Sequence, residues 1–186
     1  MNKPLANIAA VAIVSVIGAA ASILAAVSPE PDLAAAPNRP VWAEIAWPFP
    51  LDQWGRGRAF RCKAADCGSE VDLYLRAKIG FCNCTSAIDD DEVDLVGDVA
   101  LVGGARTALG LGRPVGVHWM NGRSRGYALS DATAKSALTI AFHDRCDMIV
   151  ATAAVGHDEP AGQEAAVLEF LNSDLVLRWA EAALGL

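Results

Sequence analysis

Hydrophobic and polar positions alternate most regularly between Val71 and Ile79, where Val71, Leu73, Leu75, Ala77 and Ile79 interleave with Asp72, Tyr74, Arg76 and Lys78. Successive side chains of a strand point to opposite faces, so this period of two predicts a strand with one face in the core and the other wet. A shorter candidate strand begins at Ala59 and is separated from it by a loop around Asp66-Cys67-Gly68. Further along, Val115 to Leu129 reads as a hairpin, because Asn121-Gly122 is the preferred dipeptide for a two-residue turn whose central residues need positive φ. Such a turn sets Met120 opposite Arg123, Trp119 opposite Ser124 and His118 opposite Arg125. Val115, Val117 and Trp119 then share the buried face, and His118, Met120, Arg123, Arg125 and Tyr127 are left for solvent or a partner. A second hairpin is predicted between Ala137–Phe142 and Met148–Val155, joined through His143 to Asp147.

Helical spacing appears in two places. Asp89-Asp90-Asp91-Glu92 opens a stretch in which Val93, Val96, Val99 and Leu101 recur near one helical turn, and acidic residues in a first turn suit the helix dipole. After Gly156, Asp158 is placed to cap a helix that starts at Glu159 and Pro160 and carries Ala165, Leu168 and Leu171 as its apolar stripe. Asn172 or Ser173 offers a second cap before Leu175, Val176, Trp179 and Ala183, and Gly185 is placed to end that helix. Trp42 to Trp54, interrupted by Pro48 and Pro50, reads as extended chain lying over the core. Together these elements predict an α+β fold: an antiparallel sheet built from hairpins, with C-terminal helices packed on one face.

The N-terminus follows a different pattern. From Ala6 to Val27 no residue is charged, and the run is long enough for a transmembrane helix, which takes about 20 apolar residues. Length favours an uncleaved signal anchor, while Leu24-Ala25-Ala26 offers a signal-peptide cleavage motif before Val27. Lys3 precedes the run and Glu30 and Asp32 follow it, so the positive-inside bias keeps the N-terminus in the cytoplasm and the body outside. Three segments result: residues 1–27 as anchor or signal peptide, 28–40 as a Pro/Ala-rich tether, and 41–186 as an extracytoplasmic domain. The expected address is the inner (cytoplasmic) membrane, or the periplasm if the leader is cleaved. With formal net charge −7 and a pI near 4.9, the average surface repels nucleic acid, which is not expected as a partner.

That address changes how the five cysteines, Cys62, Cys67, Cys82, Cys84 and Cys146, are read. In an oxidising compartment disulfides are the default use, and Cys62, Cys67, Cys82 and Cys84 are the candidates. A local Cys62–Cys67 bridge is feasible if the short loop between them brings their α-carbons within about 7 Å. Metal is the alternative. Cys82 and Cys84 lie on one face of an extended chain and suit copper(I), with Cys146 or His143 completing the set, and all four earlier thiols as C-x4-C…C-x-C suit zinc. No other cofactor is expected.

Candidate binding residues are the basic run Arg56, Arg58, Arg61 beside Trp54 and Phe60, and the hairpin face His118, Arg123, Arg125, Tyr127. The glycines Gly103-Gly104…Gly110-Leu111-Gly112 lack the lysine and spacing of a phosphate loop and read as a flexible connection. Ser130 or Ser136 with His143 and Asp144 makes a triad only on paper, without the sequence of a nucleophile elbow. The sequence therefore points to a membrane-tethered, non-catalytic binding or envelope accessory protein stabilised by disulfide, with copper or zinc handling as the alternative.

Overall fold

The computed structural model describes residues 39–80, 87–130, 133–157 and 159–186. The apolar run, the tether up to residue 38, Cys82, Cys84 and Asp158 lie outside these residues. Among the described residues no helix is long and apolar enough to cross a membrane.

Eight strands build one antiparallel sheet: β1 (Trp42–Ile45), β2 (Arg58–Cys62), β3 (Val71–Lys78), β4 (Arg106–Ala108), β5 (Arg113–Val117), β6 (Met120–Leu129), β7 (Ser136–Asp144) and β8 (Asp147–Val155). Their order is β1-β2-β3-β8-β7-β6-β4, and β5 lies beside β4 on the same outer edge of β6. The helices are α1 (Ala64–Cys67), α2 (Asp90–Val96), α3 (Val99–Val102), α4 (Glu164–Leu171) and α5 (Asp174–Leu184), with a 3-10 turn at Pro160–Gln163. The α+β class, the antiparallel sheet and the C-terminal helices are as the sequence predicts.

Period-two alternation decides what lies on each face. Phe60, Leu73, Leu75, Leu138, Ile140, Phe142, Ile149, Ala151 and Val155 point one way, and α4 and α5 bury them with Val167, Phe170, Leu171, Val176, Ala180 and Leu184. Ser173 caps α5 by accepting from the Val176 amide (3.4 Å), and Gly185 ends it at φ 71°. On the opposite face, α2 and α3 cover Ala141, Met148 and Val150 with Ile88, Val93 and Val96, and Tyr127 and Ala137 with Val99. Helices therefore pack on both faces rather than one. Asp89 caps α2 through the Glu92 amide (2.8 Å), and Gly97 separates it from α3, so the predicted single helix is two.

The second face is also where the expectation of a wet side of β3 fails. Tyr74, Arg76 and Lys78 are buried, the two cations because Asp98 at the start of α3 supplies the charge they need. Arg76 donates to both carboxylate oxygens of Asp98 (2.9 and 2.5 Å) and to Asp52 (2.6 Å), while Lys78 donates to Asp98 (2.9 Å) and to the Val96 carbonyl (2.6 Å). Trp47 and Trp54 sit over these two cations at 5.8 and 5.5 Å. The Trp42–Trp54 stretch is thus only partly the extended chain expected: its first residues form edge strand β1, and Trp47 and Phe49 pack on Tyr74.

The hairpin of β5 and β6 turns at His118-Trp119, with Val117 opposite Met120 and Arg113 opposite Ser124, and not at Asn121-Gly122. Gly122 is needed inside the strand. A Cβ there would lie 2.7 Å from the Ala141 carbonyl oxygen and 2.8 Å from the Phe142 Cβ, so the absent side chain is what lets β6 approach β7. His118 takes the positive φ (52°) of the turn instead, and its amide is held by the Asn172 side-chain oxygen at 2.7 Å. The register shift puts Met120 in the core and leaves Arg123, Arg125 and Tyr127 together on the other face, under α2 rather than in solvent. The β7–β8 hairpin forms where predicted, but its strands run on through His143, Asp144 and Asp147, so Arg145-Cys146 alone close it rather than His143 to Asp147.

Candidate functional site

The outer edge of β6 accepts β5 along Met120–Ser124 and β4 along Tyr127–Leu129. Between these partners, Leu109-Gly110-Leu111-Gly112 must bridge a gap too short for it, and the chain bulges outward. This is not the flexible connection that the glycines suggested. The Leu109 amide donates to the Gly126 carbonyl (2.9 Å), the Gly112 amide donates to both Asp90 oxygens (3.1 Å each), and the Gly112 carbonyl accepts from Arg123 (3.1 Å). A Cβ on Gly112 would fall 2.4 Å from Asp90 Oδ1 and 2.9 Å from the Ser124 carbonyl oxygen, so glycine is what lets the pin close.

Asp90 is the hub of that pin. Its carboxylate accepts from Arg123, pairs with Arg125 at 2.9 Å and receives Gly112. The Arg123 hydrogen bond, with burial opposing it and Gly112 and Arg125 adding to it, holds the Asp90 carboxyl below the usual aspartate range. Next to it Tyr127 donates to Asp94 (2.6 Å), and burial first, then that carboxylate, push the phenol upward. Arg123, Arg125 and Tyr127 are therefore together in space, as the sequence suggested, but their immediate partner is α2.

Beneath the bulge lies a cleft of about 560 Å³, within the range that encloses a small ligand or a few side chains. Gly126 and Leu138 line it from the sheet, Pro160 and Ala161 from the 3-10 turn, and Leu109 and Leu111 from the bulge. Its polar members are Ser124, Arg113, Arg125, Glu159 and Glu164. Ser124 donates to Glu164 Oε2 (3.0 Å), and Arg113 reaches the same oxygen at 2.5 Å. That carboxylate oxygen is already committed to two donors, and the serine is only 2% exposed, so the pair orients α4 against β6 rather than presenting a nucleophile and its base. Two other cavities, of about 320 Å³ each, lie over Tyr74 and Asp72 and beside Trp42 and Phe170.

The remaining sequence candidates are dispersed. Arg58 and Arg61 project from opposite faces of β2, the first paired to Glu44 (2.9 and 2.6 Å), the second to Asp72 (2.6 and 2.8 Å), while Arg56 is exposed before the strand. His118 stands in the hairpin turn. Ser136 donates to the His157 carbonyl oxygen (2.5 Å), and His143, at the other end of β7, contacts the Arg145 carbonyl (3.2 Å), so no triad forms from them.

Among the cysteines, Cys62 and Cys67 are bonded, with α-carbons 6.0 Å apart across the single turn of α1. Cys146 is also disulfide-bonded and brings no free thiolate to His143. Among the described residues no group of three or more His, Cys, Asp or Glu could hold a metal, and Cys82 and Cys84 fall outside them.

No family model, curated protein or solved structure matches this chain. The cleft escaped the sequence reading because its walls come from β6, the bulge and the start of α4, and no local pattern joins them. The one local signal was Leu-Gly-Leu-Gly, two large apolar residues set between glycines in a connection.

Proposed function

We propose that this chain is a membrane-tethered envelope accessory protein whose domain works outside the cytoplasm and binds a partner at the cleft under the Leu109–Gly112 bulge. The observation that carries the compartment is the Cys62–Cys67 bond, because such bridges persist where the milieu is oxidising and are rare where glutathione keeps thiols reduced. The uncharged run from Ala6 to Val27, with Lys3 before it, supplies a means of delivery consistent with that bond. Binding rather than catalysis is supported by the committed Ser124–Glu164–Arg113 contacts and by the apolar rim around them.

The test is a full-length fusion carrying alkaline phosphatase after Leu186, an enzyme that is active only when its own disulfides form. Phosphatase activity with the fusion in the membrane fraction is expected. An inactive fusion recovered from the cytosol would overturn the reading.

A further inference from the structure

We propose that the bulge and the cleft are the two halves of a self-complementary surface through which a second copy of this chain docks. The proposal rests on the reading of the cleft as a binding surface and names its occupant. Leu111 is 88% exposed and Leu109 50%, although both belong to a bulge that Asp90, Arg123 and Gly126 hold in place. Nothing inside the domain benefits from a leucine held in water at 111. A bulge already fixed loses little further entropy when it is covered, which favours docking.

The cleft begins at the foot of the same bulge, and its lining of Leu138, Gly126, Pro160 and Ala161 suits an aliphatic side chain. Projection and recess thus share one patch. A twofold dimer requires this arrangement, since whatever residue i meets on the partner, the partner's residue i must meet in return.

Charge has the same symmetry. Arg113 keeps 63% of its side chain exposed although it pairs with Glu164, while Glu159, which also lines the cleft, is exposed and makes no ion pair among the described residues. In the dimer, Arg113 of each copy faces Glu159 of the other. The patch therefore offers a second copy both a projection and a recess, and both a cation and an anion. Two copies tethered in one membrane would also meet at a raised effective concentration.

The test uses the full chain in its own membrane with Leu111→benzoylphenylalanine as a photocrosslinker. Irradiation should give an adduct of twice the chain mass, linking position 111 to peptides between Leu138 and Glu164. In that background, Arg113→Glu alone and Glu159→Arg alone should each lower the yield about tenfold or more through like-charge contact. Co-expression of the two should restore it, because each variant then faces its complement. Glu159→Arg disturbs no ion pair among the described residues, so its effect does not depend on misfolding. An adduct with a different protein, no adduct, or no rescue on co-expression would overturn the proposal. Loss of the adduct with an active phosphatase fusion removes self-docking alone, whereas a cytosolic fusion removes the envelope reading whether or not the adduct forms.

Discussion

Arg76 and Asp98 meet in a two-pronged ion pair, 3% and 7% exposed, on a sheet face that alternation alone would leave in water. Lys78 shares the same carboxylate, so Asp98 pairs with two buried cations and Asp52 supplies the second negative charge. Removing one partner of a buried pair strands the others, at a cost of about 3–5 kcal/mol, whereas replacing all of them with apolar groups of similar size is often neutral. Asp98→Ala should therefore lower unfolding free energy in urea by about 3–5 kcal/mol, and Arg76→Met, Lys78→Met and Asp98→Leu combined should recover most of that loss. A combined variant as unstable as Asp98→Ala would mean that the cluster does more than fill space.

The position of the β5–β6 turn makes opposite predictions at neighbouring residues. Gly122→Ala pushes a methyl into Ala141 and Phe142 and should cost about 1–3 kcal/mol. Asn121→Thr, in a strand opposite His143, should change stability by no more than about 0.5 kcal/mol. His118→Gly relieves a positive φ and should gain about 1 kcal/mol. Chemical denaturation of the three variants checks the register, and a large loss at Asn121 would return the turn to Asn121-Gly122.

Asp90 gives the bulge a pH dependence of definite sign. Its folded-state pKa is depressed, chiefly by Arg123, so the stabilisation it supplies is fully present above its unfolded value of about 3.9 and is lost as pH falls toward the folded value. Urea unfolding between about pH 5 and 2 should show a steeper acid limb for the native chain than for Asp90→Asn. Amide exchange at Gly112 should be faster in the variant at neutral pH, because that amide loses its carboxylate acceptor.

The Cys62–Cys67 bridge closes a short loop, for which chain entropy alone predicts about 2 kcal/mol of stabilisation. Cys62→Ser with Cys67→Ser should lower the unfolding free energy by about that much and leave a folded domain, since β2 remains paired to both β1 and β3. A double variant that fails to fold would give the bridge a larger part than loop closure.

How far the sequence revealed this architecture depends on where each residue's partner lies. β3, the β7–β8 hairpin and the two terminal helices were legible, because alternation, a turn and the Ser173 and Gly185 caps are written within each segment. The buried side of β3 was not, because the charge that admits Arg76 and Lys78 comes from Asp98, in a different element. Gly122 is ambiguous within its own segment: glycine serves a turn and a close approach equally well, and only Ala141 and Phe142 on β7 decide between them. The cleft has the same origin. Leu109 and Leu111 were visible as apolar residues among glycines, but the pin that displays them is made by Asp90 on α2.

The redox state of Cys62 and Cys67 in living cells bears most directly on the extracytoplasmic placement of the domain. Rapid acid quenching, alkylation without reduction and mass spectrometry of the peptides carrying the two residues will read it. We predict that both sulfurs are protected and that the peptides are recovered bridged. Peptides alkylated at both positions before any reductant is added would contradict the extracytoplasmic assignment and the binding role built on it.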